Sequence, residues 1–300
     1  MITQRLQTLI TVGETENYSK AAEVLNLTQP AVSTHIKQLE SELNIKLFRR
    51  TNHNVELTEE GKIALKYATR INNIYSNLLQ ALEDYQQNIK RLTIGLTPSA
   101  ESSILSRILA KYSIEKDNLH ITIITDTIKN LYTKLKNFEI DIAFVDGKIA
   151  DEHLNYGLLN TDSLVLAVSN DNSISKKNII SLEDLKKQKL ILRPESSGTT
   201  KLFQTHLRSL GEDIRNFEVI MEIDNIAMIK DLVRHDYGVS ILAKSSCQRD
   251  VMKGRFKIVS IENLSMVREL NVVYHKDFTH TEILDEIIEL YNTERNKTII

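Results

Sequence analysis

Two sets of residues in this chain carry chemistry in their type and spacing. The first is Thr28-Gln29-Pro30, followed at helical intervals by Ser33, Thr34 and Lys37. Small hydroxyls, an amide, a proline and one lysine suit a helix that lies deep in a duplex major groove, where long acidic side chains would be repelled. Arg49 and Arg50 follow, two cations for backbone phosphates, and His53 in the next turn is a third candidate for DNA contact. The second set is a pair of loops, Thr97-Pro-Ser-Ala-Glu-Ser-Ser103 and Arg193-Pro-Glu-Ser-Ser-Gly-Thr-Thr200. Each leaves an apolar run and enters a helical stretch. Thr97, Ser99 and Ser102 from one loop, with Ser196, Ser197, Gly198 and Thr199 from the other, therefore offer hydroxyls, first-turn N–H groups and a close-approach glycine to an anion. Taken singly, each loop reads equally as an ordinary helix cap; the pairing favours a carboxylate, phosphate or sulfate clamped from both sides.

The elements that must position the first set are legible. Apolar residues between Leu6 and Asn44 recur in three short helical bursts, separated by Glu14–Asn17 and Asn26–Thr28. The second burst begins at Ser19, a residue able to cap it, and its Ala21-Ala22 pair admits a closely packed neighbour. The third has Thr28 as N-cap and Pro30 in the first turn, where a missing N–H costs nothing. Val32, Ile36, Leu39 and Leu43 form its core stripe, leaving Pro30, Ser33, Thr34 and Lys37 on the far side. Any small three-helix core shows such a stripe; the segment Lys46–Leu57, a strand, a polar turn and a strand with Phe48 facing the core, adds a wing beside the helix. Thr58 then caps a helix with no Pro or Gly between Gly61 and Gly95. Its stripe of Tyr67, Ile71, Ile74, Tyr75, Leu78, Leu82, Tyr85 and Ile89 needs a partner, and a second subunit is favoured over the chain's own later part because a projecting helix has little intrachain surface to cover.

From Arg91 onward strands and helices alternate, with strands at Leu92–Leu96, His120–Thr125, Ile140–Val145, Leu164–Val168, Leu190–Leu192, Phe217–Glu222, Val239–Leu242 and Glu269–Tyr274. That order implies parallel sheets covered by helices, two lobes, and a ligand cleft outside the carboxyl ends of strands. Among the helices, one is expected from about Ser99 to Tyr112. The whole-chain balance, 38 Lys+Arg against 40 Asp+Glu in 300 residues, advertises no nucleic-acid partner, so a DNA role rests on the local features. Residues 28–54 hold Lys37, Lys46, Arg49 and Arg50 against Glu40 and Glu42 only. The single Cys247 fits a reducing cytoplasm and, lacking a second cysteine, reads as buried or inert. The N-terminal residues lack a signal segment and no window has the apolar length of a membrane span, so a soluble cytoplasmic protein is expected. The eight histidines lack paired spacing, and no phosphate loop or nucleophile elbow occurs, so no metal, no cofactor and no catalytic residue is expected.

The run Ala21-Ala22, Leu27-Thr-Gln-Pro-Ala-Val-Ser-Thr-His-Ile-Lys-Gln-Leu-Glu40, Leu47-Phe-Arg-Arg50 and Leu57-Thr-Glu-Glu-Gly61 resembles the LysR-type transcriptional regulators in register throughout. It departs in the wing, where Asn52-His53-Asn54 replaces a basic pair and a glycine. The resemblance implies a winged helix-turn-helix at 1–60, a linker and dimerisation helix at 58–90, and an effector-binding domain at 91–300 resembling type-2 periplasmic binding proteins. Its first lobe would span 91–160 and be completed by 268–300; its second would span 161–267. It further implies base or phosphate contacts at Thr28, Gln29, Pro30, Ser33 and Lys37, and a wing anchor at Arg50. Thr97, Ser99, Ser197, Gly198 and Thr199 would line the effector pocket, with Asn225 contributing from the start of a later helix. Ser-Ser-Gly-Thr-Thr is similar to the sulfur- and carbon-assimilation regulators of the family, which points to a small anionic metabolite. The implied partners are double-stranded promoter DNA, further copies of the chain as a homodimer or dimer of dimers, and RNA polymerase if the regulator activates. The rival readings are an α/β solute-binding or enzymatic protein whose first helices serve assembly, and a regulator whose later part contacts protein without a ligand.

Overall fold

The computed structural model of the chain describes residues 2–50, 55–101 and 104–299; the side chains of residues 2, 3, 50 and 296–299 lie outside that description. Two compact units emerge, Met1–Ile89 with Lys136–Glu139, and Lys90–Leu135 with Ile140–Ile300.

The first unit is built from α1 (Ile2–Thr15), α2 (Tyr18–Val24), α3 (Gln29–Leu43), the hairpin β1 (Phe48–Arg50) and β2 (Val55–Leu57), and α4 (Glu59–Gln87). Leu9, Val12, Ala21, Val32, Ile36, Leu39 and Leu47 are buried together, so the stripe on α3 faces the other helices. Its last member does not: Leu43 is exposed, because α3 ends at Asn44 in the left-handed conformation and the final turn overhangs the core. Phe48 is half-buried, packed edge-on against Tyr18 at 6.1 Å. The cap of α2 is Asn17 rather than Ser19. Its side-chain oxygen accepts from the Ser19 and Lys20 N–H groups, which starts the helix one residue before Ser19.

The wing and α4 are fastened at one point. Thr58 caps α4 by accepting from the Gly61 N–H at 2.8 Å, and its own hydroxyl donates to the Lys46 carbonyl. A Cβ at Gly61 would stand 2.0 Å from the Leu47 carbonyl oxygen, so only glycine lets the wing's root cross α4 this closely. Beyond, α4 runs 29 residues to Asn88, another left-handed cap. Tyr67, Ile71, Ile74, Tyr75, Leu78, Leu82 and Tyr85 along it are all exposed.

The second unit contains β3 (Lys90–Leu96), α5 (Pro98–Glu101), α6 (Leu105–Glu115), β4 (Leu119–Thr125), α7 (Ile128–Lys136), β5 (Ile142–Asp146), β6 (Leu154–Val168), β7 (Ile179–Ile180), α8 (Leu182–Lys186), β8 (Lys189–Leu192), α9 (Gly198–Ser209), β9 (Glu218–Glu222), α10 (Ile226–Arg234), β10 (Ser240–Ala243), α11 (Lys244–Met252), β11 (Lys257–Ile261), β12 (Val267–His275) and α12 (Thr281–Ile299). The sheet order is β4-β3-β5-β12-β6-β11-β7, with β10 also on β6. The strands β4, β3 and β5 are parallel, as their crossover helices require.

A 15-residue strand, β6, joins two halves of this unit. Leu154–Ser163 pairs with β12, whereas Leu164–Val168 pairs with β10 and β11. Separate cores lie on either side of the change. One gathers Leu92, Ile94, Leu105, Leu109, Phe144 and Ile287; the other gathers Leu166, Leu190, Phe203, Leu207, Phe217 and Ile241. The unit is therefore two-lobed, with β6 and the segment leading into β12 crossing between lobes. The expected helix over Ser99–Tyr112 is instead a single turn, α5, and a separate α6 beginning at Leu105.

Candidate functional site

In the first unit, the start of α3 holds the expected polar face. Thr28 is extended (φ −84°, ψ 151°) and its hydroxyl oxygen accepts from the Ala31 N–H at 3.4 Å. Thr28, Gln29, Pro30, Thr34 and Lys37 are exposed and Ser33 is half-buried. The Thr34 hydroxyl donates to the Pro30 carbonyl at 2.8 Å. Lys37 has no ion-pair partner among the described residues. His35 lies between these faces, its Nδ1 2.9 Å from the Thr8 hydroxyl, tying α3 to α1.

The wing cations are less free. Arg49 donates through Nε and Nη2 to Glu56 across the hairpin, and Lys46 pairs with Glu40 at 2.9 Å. Glu40 also accepts the Leu47 N–H at 2.9 Å, so this buried carboxylate pins the wing to the end of α3. Nothing in the sequence reading singled Glu40 out. Both cations remain exposed, and the Arg49–Glu56 pair, open to solvent at both ends, holds by only ~0–1 kcal/mol, so a phosphate can compete for Arg49. The Arg50 side chain and His53 lie outside the described residues.

In the second unit, the carboxyl ends of β3, β4, β5, β8 and β9 surround a cavity of about 200 Å³. Thr97, Ser99, Ser196, Ser197 and Gly198 line it, as do Asp126, Asp146, Arg193 and Asp224. Thr97 donates its hydroxyl to Asp146 at 2.8 Å. Ser197 caps α9 by accepting from the Thr200 N–H, while Thr200 donates back to the Arg193 carbonyl at 2.7 Å. The loop is therefore stitched to the helix it feeds, and the Gly198 and Thr199 N–H groups at its first turn have no intrahelical acceptor. Across the cleft, α5 is a single turn and offers no comparable helix terminus. Thr199 is buried behind the lining, where its hydroxyl oxygen accepts from Arg268 at 3.3 Å. Asn225 caps α10 and lines an adjoining cavity of about 520 Å³ together with Glu101, Thr125 and Lys230. Ser102 lies outside the described residues.

Two arginines that the site expectation omitted dominate the electrostatics. Arg193 pairs through Nη2 with Asp224, and its Nε is buried without a hydrogen-bond partner. Arg268 bridges the lobes: Nη1 donates to Thr199, while Nη2 stands 3.3 Å from Asp146 and 3.8 Å from Asp162. Its Nε and Nη2 are buried without hydrogen bonds, since the carboxylates sit at ion-pair distance only. Asp162 also accepts the Ser245 hydroxyl at 2.7 Å. Arg193 stood inside a quoted loop; Arg268 meets Asp146 and Asp162 only through antiparallel pairing of distant strands. Asp146 is a cleft residue because β5 ends at the cavity.

Among the described residues no group of three His, Cys, Asp or Glu side chains can hold a metal, and no helix is long and apolar enough to cross a membrane. A winged helix-turn-helix, a long helix and a two-lobed α/β unit are the parts of a transcription regulator that reads DNA with one unit and senses with the other. Residues 3–62 match the bacterial regulatory helix-turn-helix protein domain of the lysR family, and residues 86–295 match the LysR substrate binding domain. The chain is 32% identical over 270 residues to an uncharacterized HTH-type transcriptional regulator of Methanocaldococcus jannaschii, covering 89% of this chain and 90% of that one. It is 28% identical to a probable RuBisCO transcriptional regulator of Trieres chinensis, covering 97% of each. The crystal structure of full-length CbnR with its target DNA superposes with a TM-score of 0.69 at 18% identity, covering 98% of this chain and 99% of that one. The chain belongs to the LysR family of transcriptional regulators, and is a DNA-binding regulator rather than an enzyme.

Proposed function

We propose that this regulator reads double-stranded promoter DNA with Thr28, Gln29, Pro30, Ser33, Thr34 and Lys37 of α3. Arg49, Arg50 and His53 of the wing meet the backbone, and the active form is a homodimer or a dimer of dimers. The exposed apolar row on α4 supports self-association, as does a groove of about 570 Å³ lined by Leu6, Leu9, Leu39, Leu43, Ile63, Tyr67 and Ile71. Two copies supply two recognition helices for a pseudo-palindromic site. The protein works in the cytoplasm, with RNA polymerase as a partner where it activates.

The second unit senses a small anionic metabolite through Thr97, Ser99, Ser102, Ser196, Ser197, Gly198, Thr199 and Asn225, and closure of the lobes changes how subunits pair. One observation carries the anionic reading: Arg193, a residue only 4% exposed, lines the cavity beside the first turn of α9 with a donor unused. The carboxylates of Asp126, Asp146 and Asp224 in the same lining are already engaged. Asp126 accepts from the Thr127 N–H and Asn130, Asp146 is held by Thr97 and Arg268, and Asp224 by Arg193. Gel-shift titration against salt tests the DNA role, with a graded loss of affinity expected. Thermal-shift screening with small anions tests the sensor, since a bound effector raises the midpoint by mass action.

A further inference from the structure

Resting on that anionic reading of the cleft, we infer that Asp224 is an internal stand-in for the effector. Its carboxylate holds the Arg193 guanidinium until an incoming anion displaces it, so the sensor is a competition between a built-in carboxylate and a diffusible one. Three observations carry this. The partners are unequally buried: the Arg193 side chain is 5% exposed and the Asp224 side chain 73%. A buried cation requires a counter-charge, whereas an exposed carboxylate loses little on turning to water. The pair is also self-contained. Arg193 follows β8 and Asp224 follows β9, parallel neighbours whose ends are joined by the Ile223 N–H donating to the Leu192 carbonyl at 2.9 Å. Exchange therefore needs no movement of the lobes.

Finally, Asp224 uses Arg193 incompletely. The contact is made by Nη2 to one carboxylate oxygen, and Nε, buried in the same group, has no hydrogen-bond partner. An anion with two adjacent oxygens engages Nε and Nη2 side by side, the stronger bidentate geometry. Its remaining oxygens then face the first turn of α9 at Ser197 and Gly198, which line the same cavity. The arrangement selects a small carboxylate, phosphate or sulfate and rejects neutral ligands, which leave the Arg193–Asp224 pair intact.

Calorimetric titration of the full-length protein with inorganic phosphate and with sulfate tests this. D224N removes the internal competitor and is expected to bind phosphate about tenfold more tightly than the unaltered protein, equivalent to about 1.4 kcal/mol. D224E, which keeps the charge, is expected to bind no more tightly. Should D224N not be recovered folded, a crystal structure of the unaltered protein with phosphate decides. Phosphate on Arg193 with Asp224 turned away supports the inference; phosphate beside an intact Arg193–Asp224 pair overturns it. Equal affinity of the unaltered protein and D224N overturns the stand-in while leaving the anion site standing. Absence of phosphate and sulfate binding to both proteins overturns the two together.

Discussion

At the scale of single residues, Ser33 and Cys247 show how burial decides what a side chain does. Ser33 sits half-buried on the polar face of α3, between Gln29 and Lys37, where a larger side chain projects from the proposed DNA face without entering the core. Ser33→Arg is expected to abolish sequence-specific operator binding while the melting temperature stays within a few degrees. An unchanged footprint from the variant removes α3 from the groove. Cys247 is fully buried, and loss of hydration pushes its thiol up to about 12. The unfolded thiol titrates near about 8.5. Between those values the native state keeps a proton that the unfolded state loses, so this group's contribution to stability is present at neutral pH and declines as pH rises through the window. Native Cys247 is accordingly expected to resist iodoacetamide at pH 8.5 and to react once the chain is unfolded in urea. Rapid alkylation of the native protein would contradict the burial. These two residues were legible in sequence, one by helical phase and the other by its isolation. Arg268 was not, because its partners stand more than 100 positions away and only the strand pairing unites them.

At the scale of elements, the chain's punctuation was easier to read than its long-range pairing. The Thr28 and Thr58 caps act where the hydroxyl and the following first turn place them. The cap of α2 went to Asn17, two residues before Ser19, because its side-chain oxygen reaches the N–H groups of both Ser19 and Lys20. The first half of β6 escaped notice because Leu154-Asn-Tyr-Gly-Leu-Leu159 neither alternates cleanly nor excludes glycine. In the sheet, Gly157 passes close to Val272, with 3.0 Å left for a Cβ. Likewise a helix pattern running from Ser99 to Tyr112 conceals the separation between α5 and α6. The contact between Gly61 and Leu47 makes the sharpest prediction at this scale. Gly61→Ala brings a methyl against a backbone oxygen that cannot withdraw without moving the wing, so a loss of roughly 3 kcal/mol or more is expected. Thermal denaturation read by circular dichroism checks it; a variant as stable as the original shows that the wing's root is free to shift.

For the molecule as a whole, α4 is the part whose surface does not suit a single chain. Leu78 and Leu82 are 53% and 56% exposed in the middle of its apolar row. Burying a leucine in a partner is worth ~1.5–3 kcal/mol, so Leu78→Asp is expected to weaken self-association by on the order of tenfold or more. Sedimentation velocity reads this directly, and an unchanged distribution of species sends the interface elsewhere. The two-lobed form was legible from the alternation of strands and helices, but the long strand shared by the two lobes was not, and it matters for how the sensor breaks. Because β6 lends hydrogen bonds to the sheets of both lobes, neither lobe owns a complete sheet by itself. A cut or a proline near Ser163 cannot liberate a working half; it dismantles two cores at once, and heat should melt the sensing unit in one cooperative step.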